Sequence, residues 1–289
     1  MSTATDDREF APVYNRYSTQ AGGLPRLPAY LRETWRRRAF AAEYSRANIR
    51  SANSNTVFGQ LWLVLNPVLL AGVYFLLVNI LTGRGKDNPE YFTHLTGSLF
   101  IFTMVTTAMT SGASSVTTAG KLLLNTAFPR ILIPLSVVRT AVFRFLPTVP
   151  VILIFQLFTG NPWSPLMLLS LVFAAFMVLF GAGLACFFAA LQVYFRDTQS
   201  FLPYINRLWL YLSPVLWTGA DLSRLGEVAQ LAILNPMYAM LTGYTQLLQH
   251  ATMPAWHLWA ISAAWSIGMA LLGGLFFITR ERDFAVRIY

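Results

Sequence analysis

The chain has 289 residues, of which 55% are hydrophobic and only 11% charged, and its mean hydropathy is +0.51. That much apolar side chain exceeds what a soluble domain of this length can bury, so an ordinary water-soluble globule is excluded. The formal net charge of +9 does not mark a nucleic-acid binder either, because the basic residues hug the borders of apolar runs instead of clustering on a polar surface.

Residues 1–27, with Gly22, Gly23 and Pro25, read as a flexible cytoplasmic lead-in. Asp6, Asp7 and Glu9 stand where a cleavable signal needs an apolar core, so membrane insertion is expected to use the first span itself. Over residues 28–55 the pattern predicts a helix. Leu31, Trp35, Ala39, Ala42 and Ile49 share one arc, with Arg32, Arg36, Glu43 and Arg50 beside it. Such an amphipathic interface helix rests in the headgroup layer. Phe40 and Tyr44 fall on the opposite face and leave an ordinary solvated helix as the alternative.

From residue 56 to 289 the sequence reads as one transmembrane domain. Six apolar runs predict spans at Val57–Leu81, Phe92–Thr117, Pro134–Thr159, Pro165–Val193, Phe201–Thr218 and Trp256–Thr279, since a long run with little charge satisfies its backbone in lipid only as a helix. The fold class is therefore all-α and polytopic. Asn66-Pro67 in span one predicts a kink. Ser111-Gly112-Ala113-Ser114-Ser115 in span two permits close helix approach or lines a wet cavity. Cys186 stands alone inside span four, which leaves no disulfide framework, cysteine metal site or redox pair.

Between spans two and three, residues 120–130 are too short and too charged to cross, and are expected at the cytoplasmic surface with a partner covering their Leu and Phe side chains. After span five, two apolar pieces, Val228–Leu234 and Met237–Leu248, flank Asn235-Pro236. Neither is long enough to cross. They read as short re-entrant outer helices before the last span, with Asn235, Pro236 and Tyr238 as a candidate outer gate. An amphipathic extracellular loop packed on the bundle is the alternative. With the N-terminus inside, only Arg84, Lys86 and Arg224 fall among outer loops, which places both termini in the cytoplasm.

No phosphate-cradling Gly-x-x-x-x-Gly-Lys-Ser/Thr occurs. His94, His250 and His257 lack metal-ligand spacing, and no carboxylate pair sits inside a span. No catalytic residue and no metal ligand is expected. The charges left near or within spans are Arg139, Arg144 and Arg207. The first two reach the cytoplasmic surface if span three starts near Ala141. Arg207 pairs with Asp197 or faces an aqueous path. Trp62, Tyr74, Trp209, Tyr211 and Trp217 join Arg207 as candidate residues of a substrate path, because sugar C–H faces lie well on aromatic rings. Packing and interfacial belts account for many such aromatics without any ligand.

In their order along the chain, Gly59-Gln60-Leu61-Trp62 with Leu65-Asn66-Pro67, Asn125-Thr126-Ala127-Phe128-Pro129-Arg130 with Pro134, Val193-Tyr194-Phe195-Arg196-Asp197, Ser213-Pro214-Val215-Leu216-Trp217 and Leu234-Asn235-Pro236-Met237 resemble the permease subunit of ABC-2 type exporters. The branch resembled exports lipid-linked polysaccharides. The resemblance implies two copies of the permease working with two copies of a separate ABC ATPase, which would bind the ATP and Mg; this chain itself would hold no cofactor. It implies that Lys121, Asn125, Phe128, Pro129 and Arg130 dock on the ATPase, with Phe128 as an apolar plug. The cargo would be a lipid-linked polysaccharide such as O-antigen, teichoic acid or cell-wall galactan, passed outward across the bacterial plasma membrane among its lipids, with no nucleic acid involved. Export of a drug or small lipid is the nearest alternative, and an ion-coupled carrier a more distant one.

Overall fold

The computed structural model describes residues 27–52, 56–82, 89–120, 128–218 and 232–287, and these are helical with short turns between. In chain order the helices are α1 (Leu27–Arg36), α2 (Arg38–Ala52), α3 (Trp62–Thr82), α4 (Pro89–Thr118), α5 (Leu132–Phe145), α6 (Thr148–Thr159), α7 (Ser170–Tyr194), α8 (Thr198–Leu212), α9 (Pro236–Gln249), α10 (Trp256–Arg280) and α11 (Phe284–Arg287). Five stretches are long and apolar enough to cross a membrane: Gly59–Leu77, Glu90–Thr118, Leu132–Thr159, Pro165–Tyr194 and Trp256–Asp283. The third is α5 and α6 joined through Leu146 and Pro147. The molecule is thus an all-α polytopic membrane protein.

The expected span at Phe201–Thr218 takes a different form. Its helix, α8, starts at Thr198 and stops at Leu212 after 15 residues, about 22 Å at 1.5 Å per residue, against roughly 30 Å of hydrocarbon. Pro214 supplies the stop. A residue before proline is driven out of the helical region, and Ser213 is extended, at φ −99° and ψ 152°. The chain then turns through residues 213–217.

The bundle is built around α4, α7 and α10, with α5, α6 and α9 packed on them and α3 and α8 at the periphery. Small residues set the spacing. A Cβ added at Gly112 of α4 would lie 2.6 Å from the Cβ of Ala185 on α7, and one at Gly183 of α7 would strike the backbone of Met269 on α10. Between helices in lipid, backbone approach of this kind replaces the hydrophobic drive that water would supply. Of the two readings of the Ser-Gly-Ala stretch in span two, close helix approach is therefore the one seen at Gly112.

Two helices stand where one was expected over residues 28–55, because the α-helical run is interrupted at Arg37. Ala41 and Ser45 turn inward, and α2 packs on α5, where Thr140 Oγ1 donates to Ser45 Oγ at 2.9 Å. Leu31 and Trp35 stay exposed. Arg38 stacks over the Trp35 ring at 4.4 Å. At this end of the bundle a second apolar cluster gathers Ile131, Ile133, Phe277 and Phe284 with Leu27, Tyr30 and Phe128 partly buried against it.

At the other end, α9 is drawn into the bundle, with Met237, Met240, Leu241 and Leu247 fully buried. Gln249 closes it by donating from Nε2 to the carbonyl of Thr93 on α4 at 3.0 Å. Only Ala232–Leu234 of the first apolar piece lies within the described residues, as a single helical turn before Asn235.

Candidate translocation and coupling sites

The candidate path residues fall into two places. Trp62, at the start of α3, lines a cavity of about 460 Å³ between α3, α4 and α5, together with Asn66, Thr107 and Arg144. Further along α3, Tyr74 lies within electrostatic reach of Arg207 and Tyr211 on α8. Arg207 is exposed, and among the described residues it forms no ion pair with Asp197. Of the two readings of Arg207, the pairing is not the one seen.

Trp209 and Trp217 belong with the candidate gate. The Trp209 ring meets Phe102 of α4 at 5.8 Å and Phe180 of α7 at 6.1 Å, while its indole N–H donates to Oδ1 of Asn235 at 2.9 Å. Asn235 caps α9, its Oδ1 also accepting from the Met237 N–H at 3.0 Å. Its Nδ2 donates to the Leu212 carbonyl at 2.9 Å and to Ser213 Oγ at 3.1 Å. One amide thus ties the end of α8 to the start of α9, with Pro236 at the first helical position, where its missing N–H costs nothing. Trp217 stacks on Tyr238 at 6.2 Å and 22° and donates to the Tyr211 carbonyl at 3.1 Å.

Of the candidate coupling residues, Lys121 and Asn125 lie outside the described residues. Phe128 rests its ring on Phe40 of α2, centroids 4.7 Å apart. Pro129 is buried. Arg130 donates from Nη1 to the Glu281 carbonyl, and the Glu281 carboxylate accepts from the Tyr30 hydroxyl at 2.5 Å. Burial, and then the Glu281 carboxyl, hold the Tyr30 phenol well above the usual tyrosine range. The segment before α5, the turn after α10 and helix α1 are thereby joined through three polar side chains.

Sequence reasoning left Arg144, Asn66 and Thr107 out of the candidate path. Their shared cavity comes from three separate helices, and no local spacing records it. The Tyr30–Glu281 pair, 251 residues apart, was equally invisible. Among the described residues no group of His, Cys, Asp or Glu could hold a metal ion.

The fold and these sites describe a multi-pass helical membrane protein with polar groups in a cavity between α3, α4 and α5 and, separately, where Tyr30, Arg130 and Glu281 meet. No protein-family model matches the chain. It is similar to the O-antigen export system permease protein RfbA of Myxococcus xanthus, with 25% identity over 258 residues covering 89% of this chain and 98% of the relative. It is similar also to proteins of the same description from Klebsiella pneumoniae, one of them 27% identical over 200 residues, or 69% of this chain and 76% of that protein. The relationship is homology at low identity.

Proposed function

We propose that this chain is the membrane permease subunit of an ATP-driven exporter that passes a lipid-linked polysaccharide out across the bacterial plasma membrane. The similarity to O-antigen export permeases along nearly the whole chain carries the reading. The missing nucleotide-binding motif agrees with it, since energy must then come from a separate ATPase.

In this reading two copies of the chain pair with two copies of that ATPase, and both termini are cytoplasmic. Helix α8, stopped by Pro214, completes a sixth crossing with the turn at residues 213–217, where it meets α9. Helices α1 and α2 form the interface layer, with Trp35 and its neighbouring arginines at the headgroups. Residues Lys121 to Arg130 are the docking segment. ATP-driven closure of the ATPase pair pulls this segment together with Phe40 of α2 and Tyr30 of α1, so the stroke enters the bundle at α5 and α10. The path runs between α3 and α8, past Trp62, Tyr74, Arg207 and Tyr211, to the gate around Asn235, Pro236, Trp217 and Tyr238.

The test is reconstitution of the permease with its ATPase in vesicles. Lipid-linked glycan is expected to reach the opposite leaflet only with ATP and both subunits, and to stop with vanadate. Movement of glycan by the permease alone would overturn the assignment.

A further inference from the structure

The cavity between α3, α4 and α5 gathers Arg144, Asn66 and Thr107, to which the proposed path gives no role, beside Trp62. Arg144 Nε is buried without a hydrogen-bond partner. Trp62, Asn66 and Thr107 also line this cavity, and the indole N–H, amide and hydroxyl they carry make no hydrogen bond among the described residues. Thr103 and Thr148, also in the wall, are already spent on the carbonyls of Leu99, one turn back in α4, and Phe145, at the end of α5. Among the described residues no Asp or Glu lines the space. A cation and three neutral donors without an acid form a site for anionic oxygen, and a guanidinium fits phosphate geometry best of the basic side chains.

The wall gives the ligand's other half. Leu63, Pro67 and Leu70 of α3 supply apolar lining beside Phe100, Met104 and Phe145, and Asn66 and Leu70 in this wall are exposed. The cavity is therefore open sideways, where a chain of methylenes can lie along α3. Its depth also suits an amphiphile. Helix α2 crosses α5 at Thr140, one turn before Arg144, so the guanidinium stands just above the layer assigned to the headgroups. An unpaired arginine deeper in hydrocarbon is costly; here a phosphate can compensate it.

We infer that this cavity holds the phosphate end of a polyprenyl-linked ligand, anchored by Arg144 and oriented by Trp62, Asn66 and Thr107. The inference rests on the export reading above for the polyprenyl chain. Phosphate recognition follows from the cavity itself.

The full-length permease in neutral phosphatidylcholine nanodiscs is titrated with undecaprenyl diphosphate, undecaprenol or phosphatidylglycerol, with bound lipid counted by native mass spectrometry. The diphosphate is expected to bind at least about tenfold more tightly than either comparator. Arg144→Gln is expected to lose about tenfold or more of that affinity, with undecaprenol unchanged, and Arg144→Lys to recover part of it. Asn66→Leu and Thr107→Val should each weaken the diphosphate severalfold, and they serve if Arg144→Gln does not remain monodisperse. Wild-type affinity in a monodisperse Arg144→Gln, or in both milder variants, would overturn the inference. Equal binding of phosphatidylglycerol would overturn the polyprenyl assignment and leave a bulk-lipid site. Failure of the export reading shows elsewhere, as a wild-type complex that binds the diphosphate yet moves no glycan with ATP.

Discussion

The indole N–H of Trp209 donates to Oδ1 of Asn235 at 2.9 Å, so a ring held by Phe102 and Phe180 fixes the amide that caps α9. Asn235→Ala removes this bond, the cap and both Nδ2 bonds at once, and leaves the Trp209 N–H stranded. A loss of about 1–3 kcal/mol is expected, seen as a lower detergent-solubilised melting temperature. Trp209→Phe keeps the α9 cap and part of the ring contact and loses one bond, so its cost should lie low in that range, about 1–2 kcal/mol. Equal melting shifts for the two would show that Asn235 acts through Trp209 alone.

Helix spacing at the crossing of α7 and α10 depends on Gly183 and Gly273, where any Cβ meets the partner's backbone. Gly273→Leu should therefore separate the helices and cost about 1–3 kcal/mol or more. Gly268 on the same helix has open space around its missing Cβ. Gly268→Ala should leave the melting temperature unchanged or slightly raised, since alanine favours the helix by up to about 1 kcal/mol.

These contacts show what sequence reading reached. Long apolar runs disclose α3, α4, the α5–α6 pair, α7 and α10, because lipid leaves the backbone of such runs no option but helix. The shortness of α8 was legible in Pro214 but outweighed by the apolar residues that follow it. Phe128 and Phe40, Tyr30 and Glu281, and Arg144 with the three donors around it meet only through tertiary packing. Their positions along the chain carry no common period, so residue types could be singled out but not their partners.

Tyr30 ionises in the folded protein only above its ordinary range of about 10, because burial and then the Glu281 carboxyl oppose its charge. An unfolded chain releases that proton first, so the stabilising contribution is complete below pH ~10 and is lost as pH rises beyond it. Tyr30→Phe should make the stability profile flatter than wild type above that pH. At neutral pH the same variant should speed hydrogen exchange in α1, whose hold on Glu281 is gone.

Phe128→Asp places a charge against Phe40 and in the proposed docking segment. The variant is expected to insert and pair normally but to lose ATPase association, measured by co-purification. Phe40→Leu, which keeps an apolar contact, should retain it. Loss of association in both would assign the effect to α2 packing instead of docking.

The central claim is that this helical bundle is a passage driven from outside itself. It is tested most directly by following fluorescent lipid-linked glycan in vesicles holding the permease with or without its ATPase. Export that requires both subunits and ATP, and that stops with vanadate, is the expected result. Equal export from vesicles holding the permease alone would contradict it.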